Sequence, residues 1–208
     1  MRSAALTRPG EPRSVEAVEY PIRTRRWTRA EYDRLIDFGV FRPGDPVELL
    51  GGDLVVAEPQ SSPHYTAIGL AEDALRQAFG AGWLVRTQGP IALDEQSEPE
   101  PDVAVARGSV RDYSREHPAR PVLVVEVALS SLALDRDHKG SLYARARLED
   151  YWIVNLVDRV LEVYRAPIPD TMAPFEWRYA STVVLGPESV VAPLAAPGSG
   201  VLVANLLP

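Results

Sequence analysis

The sequence predicts an α/β protein built on a small mixed β-sheet flanked by helices. Two apolar runs, Val122–Leu129 and Tyr151–Leu156, have the composition and length of strands buried on both faces. Between them, the segment from Lys139 to Glu149 carries apolar residues at helical spacing, with Leu142, Tyr143 and Ala146 on the same stripe as Lys139. A strand, helix and strand in this order are typical of an α/β sheet.

The N-terminal half adds helices and a hairpin to this sheet. A capping-box pattern at Thr28 and Glu31 starts the first helix, and a Gly51-Gly52 turn favours the hairpin. The predicted elements are a helix from Thr28 through Phe38, a hairpin of Val47–Leu50 and Leu54–Ala57, a loop at Pro59–Pro63, and a helix from His64 to Gly80.

Further strands follow, separated by Gly- and Pro-containing turns. The predicted strands are Trp83–Leu93 with a bend at Gly89-Pro90, Asp102–Ala106, Val160–Tyr164, Phe175–Leu185, Val190–Leu194 and Val201–Leu206. Residues 107–120 and 166–174 are expected to be a loop and a linker. Residues 1–26 show no periodicity, so we expect a flexible N-terminal arm before a single domain over 27–208, with its core at about 47–165.

Composition limits the function. The chain has 208 residues and no cysteine, which excludes disulfides, zinc–thiolate sites and thiol nucleophiles. It has no signal-peptide pattern and no apolar run long enough to cross a membrane, so we expect a cytoplasmic protein without a membrane partner.

The net charge of −7 argues against a general nucleic-acid coat. Phosphate-binding glycine loops, a serine elbow and paired histidines are all missing.

Two acids and one lysine are the main candidates for chemistry. Glu126 sits inside an apolar strand, where an unpaired carboxylate is costly, so it must meet a cation. Lys139 is the only lysine among 22 basic residues, which suggests a task that a guanidinium cannot perform. Asp102 opens a neighbouring strand. A purely structural ion pair is the alternative explanation of the Glu126–Lys139 pattern.

These residues suit metal-dependent hydrolysis of a phosphodiester. Glu48 and His64 are additional candidates for the same site. Oxygen ligands without thiolates or clustered imidazoles favour Mg²⁺ or Mn²⁺, which activates water and polarises a phosphate. A lysine beside the acids can orient that water and offset developing charge.

Several ordered motifs resemble those of the Uma2 family of proposed restriction endonucleases, within the PD-(D/E)XK nuclease superfamily. The matching stretches are Val47–Leu54, Ser62-Pro63-His64, Pro101–Val105, Val124–Val127, Asp135–Lys139 and Asp150–Val154. The resemblance implies a restriction-endonuclease-like mixed sheet flanked by helices, with an extra N-terminal helix and hairpin and extra C-terminal strands.

The resemblance also implies roles for the candidate residues. Asp102 and Glu126 would be the metal-binding acids, and Lys139 would supply the ammonium from the following helix. Glu48 would be an additional active-site acid, His64 would lie near the site, and both are candidates for further metal ligands. The expected function is a Mg²⁺- or Mn²⁺-dependent endonuclease acting on nucleic acid; DNA is the favoured substrate, and RNA stays open. We expect a homodimer, because cutting a duplex often uses two sites. The alternative is a catalytically silent dimeric binding or regulatory module on the same fold.

Overall fold

The computed structural model describes residues 24–42, 44–57 and 60–208. Residues 1–23, most of the expected N-terminal arm, lie outside the described residues. The helices are α1 (Arg29–Asp37), α2 (Ser62–Phe79) and α3 (Gly140–Arg145). The strands are β1 (Val47–Leu50), β2 (Asp53–Val56), β3 (Trp83–Thr87), β4 (Val103–Arg107), β5 (Leu123–Ala128), β6 (Asp150–Asn155), β7 (Val160–Pro169), β8 (Trp177–Leu185), β9 (Val190–Val191) and β10 (Val201–Leu202).

Strands β3 to β8 form one six-stranded sheet in chain order. Only β5 and β6 run parallel among these neighbours, because the helical segment that ends in α3 connects them. The predicted mixed α/β sheet is confirmed. In the described part of the chain, no helix has both the length and the apolar character needed to cross a membrane.

Helices cover the two faces of this sheet. Alternate residues of β5 point to opposite sides, so Val125 and Val127 pack in the cluster that contains α2, while Val124 packs with α3. All six residues of β5 are buried, which confirms a strand enclosed on both faces. Glu126 therefore lies on the α3 side.

The β1–β2 hairpin lies beside this sheet. Its turn residues Gly51 and Gly52 adopt φ angles of 59° and 89°, a region that favours glycine. The amide of Glu98 donates to the carbonyl of Leu49 at 2.8 Å, and the Tyr32 hydroxyl of α1 donates to the carbonyl of Val47 at 2.6 Å. These bonds hold β1 against the segment that enters β4 and against α1.

The predicted helix over Lys139–Glu149 has different bounds. A π-helical turn spans Leu134–Lys139 and leads into α3, so Lys139 lies inside the helical segment instead of at its start. The segment ends before Glu149, because Arg147 takes a left-handed φ of 60°. Single π-helical turns are often found at functional sites.

Strand predictions in three other places were wrong. β3 ends at Thr87 and not at Leu93, because Gln88 takes a left-handed conformation just before Gly89-Pro90. β7 runs on to Pro169, into the first four residues of the predicted 166–174 linker. Beyond Arg165 it pairs with β8 alone, so its prolines break no ladder with β6. The predicted strands Val190–Leu194 and Val201–Leu206 are each only two residues long in the structure, as β9 and β10. A 3₁₀ turn over Val203–Leu206 replaces the rest of the second one.

Candidate active site

Asp102 and Glu126 lie next to each other on neighbouring strands. Val103 pairs with Val125, which brings Asp102 opposite Glu126. The amide of Asp102 donates to Oε2 of Glu126 at 3.2 Å, and the amide of Val127 donates to Oδ2 of Asp102 at 2.7 Å. Each carboxylate is thus hydrogen-bonded to the backbone of the other acid's strand, which restrains their relative position.

Lys139 lies between two carboxylates. Its Nζ is 3.1 Å from Oε1 of Glu126 and 3.4 Å from Oε1 of Glu48. All three side chains are buried. Glu126 of β5 therefore contacts Lys139 of the following helical segment, as the spacing predicted. Glu48 of the β1–β2 hairpin is the second acid that contacts Lys139.

Glu48 is held in place by the backbone of the segment before β4. Its Oε2 accepts a hydrogen bond from the amide of Glu100 at 2.9 Å. Glu48 and Lys139 are 91 residues apart in sequence. The docked hairpin therefore supplies an acid that no local pattern connects to Lys139.

The site carries more buried acids than Lys139 alone can neutralise. Burial raises the pKa of Glu126 above its ordinary value, against the opposing effect of Lys139. Burial by itself would lower the pKa of Lys139, but the surrounding carboxylates, led by Glu126, hold it above its usual value. The Lys139 ammonium therefore stays charged among several buried acids.

His64 lies in the first turn of α2 and faces Asp102. Its Nε2 is 3.4 Å from Oδ2 of Asp102. Burial lowers the pKa of His64, but the hydrogen bond and charge of Asp102 leave it raised overall. Its Nδ1 is buried and has no hydrogen-bond partner among the described residues. All five residues predicted from the sequence therefore meet at one place.

Two further residues of this site were not among the predicted site residues. The hydroxyl of Tyr143 donates to Oε1 of Glu126 at 2.7 Å, and Tyr143 is fully buried. Asp135 is buried, accepts from the hydroxyl of Ser131 at 2.6 Å, and has its pKa raised by burial. Both lie four residues from Lys139, so helical spacing was the available signal.

A cavity of about 970 Å³ opens over these residues. Its lining includes the five predicted residues as well as Asp135, and it extends along the β1–β2 hairpin and the segment that follows β5. A small molecule or part of a polymer can therefore reach the acids.

The donor set suits a hard divalent cation. Among the described residues, no three acidic or histidine groups are arranged to enclose a metal ion. Mg²⁺ seldom needs such a cage, because it is usually held by one or two carboxylates, retained waters and substrate phosphates. Asp102 and Glu126 provide two adjacent carboxylates in a negatively charged, accessible cavity. These residues fit Mg²⁺ or Mn²⁺, and Glu48 and His64 line the same cavity.

Comparison with known proteins agrees with this architecture. The Uma2 family model, described as "Putative restriction endonuclease", matches residues 29–203. Among solved structures, the chain is similar to the crystal structure of a "putative nuclease" belonging to DUF820 from Anabaena variabilis. The TM-score is 0.63 at 14% sequence identity, with 83% of this chain and 96% of that chain covered, so the two share a fold. The search of curated proteins gives no match.

Proposed function

The chain belongs to the Uma2 family, and we propose that it is a Mg²⁺- or Mn²⁺-dependent endonuclease that hydrolyses phosphodiester bonds in nucleic acid, with DNA as substrate. The observation that carries this proposal is the position of Lys139, 3.1 Å from Glu126 and 3.4 Å from Glu48, in the cavity that Asp102 also lines. The acids and the ammonium have the chemistry that phosphodiester hydrolysis requires.

Asp102 and Glu126 would hold the metal ion, which when bound polarises the scissile phosphate and lowers the pKa of a water. Oε1 of Glu126 is held by Lys139 and Tyr143, so that carboxylate cannot rotate freely. Lys139 remains protonated; it donates hydrogen bonds, orients a nucleophilic water beside the acids, and offsets negative charge that develops on the phosphate. No covalent enzyme intermediate is needed.

A specific observation favours a second candidate, a catalytically silent dimeric binding or regulatory module. The acids already have partners within the protein: Lys139 and Tyr143 bond Glu126, and backbone amides bond Asp102 and Glu48. A site that serves only as a buried ion-pair network would show the same contacts. Divalent-ion binding distinguishes a metal site from a purely structural ion-pair network. Cleavage distinguishes a nuclease from a silent binding module.

The test uses the purified full chain with Mg²⁺ or Mn²⁺ and a panel of single- and double-stranded DNA and RNA. Cleavage that requires the divalent ion, stops with EDTA and is lost in Asp102→Asn supports the nuclease. If no substrate is cut while calorimetry shows a bound divalent ion, the silent module is favoured. Absence of both cleavage and ion binding would leave only the structural network.

A further inference from the structure

Exposed apolar side chains line the cavity above the acids. Val56 of β2 is 69% exposed, and Leu129 and Leu134, from the segment between β5 and α3, are 41% and 38% exposed. All three line the cavity, although they come from two separate parts of the fold. Large apolar residues left open around a polar floor often mark a surface that a ligand covers.

The charge of the lining does not suit a double helix. Proteins bind duplex DNA largely through Lys and Arg contacts to its phosphates. The chain has 21 arginines, yet none is among the described residues that line this cavity. The basic groups there are Lys139 and His64, against the acids Asp45, Glu48, Glu100, Asp102, Glu126 and Asp135. Within this described lining, binding therefore draws on contacts other than a row of phosphates.

The burial of the acids points the same way. Glu126 is only 2% exposed. A phosphodiester must come down into the cavity to reach this acid, and one unpaired strand can do so.

Gln88 supplies a polar group suited to a base. It lines the cavity with an exposed side chain that forms no hydrogen bond within the described part of the chain. Its φ of 49° is uncommon for a residue other than glycine, and its amide donates to the carbonyl of Asp102 at 3.1 Å. Strained residues cluster at functional sites. The side-chain amide offers both donors and an acceptor to the edge of a base.

We propose that the cavity accepts an unpaired nucleotide. Its base contacts Val56, Leu129 and Leu134 and presents its edge to the Gln88 amide, while the adjoining phosphate reaches the metal ion that Asp102 and Glu126 would hold. Bases taken out of a stack are commonly held by apolar or aromatic side chains together with hydrogen bonds. This inference rests on the proposed nuclease function and narrows its substrate. The nucleotide can come from a single strand or from a duplex that is locally opened.

The experiment compares three oligonucleotides of one sequence: a single strand, a duplex with one unpaired nucleotide, and a fully paired duplex. Each carries 2-aminopurine, which becomes brighter when it leaves the base stack. With the full chain and Mg²⁺, we expect the single strand to be cut at least tenfold faster than the paired duplex. If the duplex with one unpaired nucleotide is cut at that nucleotide, a locally opened duplex is also a substrate.

Variants locate the contact. Val56→Ser and Gln88→Gly should each raise KM for the single strand about fivefold. Gln88→Gly should also keep or raise the melting temperature, because glycine adopts the left-handed backbone without strain. If Gln88 had only a structural role, this variant would leave KM unchanged. The matched control is Val190→Ser. Val190 lies on β9, is 64% exposed and does not line the cavity, so this variant should bind the single strand normally.

The outcomes separate this inference from the nuclease proposal. Equal cleavage of paired duplex and single strand would overturn the unpaired-nucleotide site and leave the nuclease intact. If nothing is cut, but the single strand binds with a rise in 2-aminopurine emission that Val56→Ser abolishes, the nucleotide site stands without the nuclease. Failure of both cleavage and binding overturns both proposals.

Discussion

Asp102 donates its backbone amide to the carboxylate of Glu126, while the backbone next to Glu126 donates to the carboxylate of Asp102. This reciprocal arrangement depends on antiparallel β4 and β5 in one register. A shift of one residue would turn one acid to the opposite face of the sheet. Sheet register therefore controls whether the two acids can share a cation.

Glu126→Gln should abolish cleavage while the protein still folds. Gln has the shape of Glu126 and keeps one acceptor oxygen, so the variant should still fold, although its amide nitrogen faces a donor and one buried hydrogen bond is lost. We expect kcat to fall by about 10²–10⁴-fold, with a melting temperature within a few degrees of wild type. Full activity in a folded variant would remove Glu126 from the proposed mechanism.

Lys139→Arg should be inactive although it keeps the positive charge. The guanidinium is larger and planar, and Lys139 is buried between two carboxylates. Overpacking should cost about 1–3 kcal/mol of unfolding free energy. Urea unfolding and initial cleavage rates measure both effects, and Arg76→Lys on the surface of α2 is the control. Normal cleavage by Lys139→Arg would show that any cation suffices.

Tyr143→Phe tests the hydrogen bond that restrains Glu126. It removes the hydroxyl that donates to Oε1 of Glu126. The matched control is Tyr179→Phe, which removes a buried hydroxyl that donates to the Leu148 carbonyl at 2.9 Å. Each variant should lose about 1 kcal/mol of stability.

Only Tyr143→Phe should also change the site, lowering kcat about tenfold and weakening Mg²⁺ affinity, because groups that hold a metal ligand tune the metal. Cleavage kinetics and calorimetric titration with Mg²⁺ are the measurements. Identical kinetics in the two variants would assign Tyr143 a packing role alone.

The stability of the metal-free protein should fall as pH rises from 5 to 8, partly because of Glu98. Burial raises the pKa of Glu98 to about 7, with Asp33 adding to the rise and Arg29 opposing it. The folded state then keeps a proton that the unfolded state, with a pKa near 4.5, releases. The contribution is complete below pH 4.5 and is lost as pH rises through about 7.

Glu98→Gln should remove this share of the pH dependence, up to roughly 3 kcal/mol for a difference of 2.5 pKa units. Unfolding free energies from urea titrations in EDTA at pH 5 and pH 8 provide the comparison. Glu72→Gln, on α2, is the control and should follow wild type. An unchanged pH slope in Glu98→Gln would contradict a raised pKa at this position.

Pairing of β8 between two copies is our proposal for the expected homodimer. β8 is the last strand of the sheet, and residues 180–184 are exposed on both of its faces. Such an edge presents unpaired backbone groups to another strand. Val184→Lys should yield a monomer in light scattering coupled to size exclusion, whereas Val157→Lys, in the turn before β7, should not. A monomeric wild type at micromolar concentration would exclude this dimer.

Part of the site could be read from local patterns. An acid inside the apolar run of β5 required a cation, and helical spacing directed Lys139 toward the sheet; the structure places the two 3.1 Å apart. The same spacing applied to Asp135 and Tyr143 would have included them as well. The motif resemblance to the Uma2 family is confirmed by the match over residues 29–203.

The sequence by itself determined the central strands β5 and β6, the buried charge and its need for a partner, because these follow from side-chain periodicity and the cost of burying an ion. Only the tertiary structure decided that Glu48 joins Lys139, that Asp102 faces Glu126, and that the ends of β3 and β7 differ from prediction. These features depend on how the hairpin docks and how strands pair across long separations. Such contacts form between segments whose local patterns carry no information about each other.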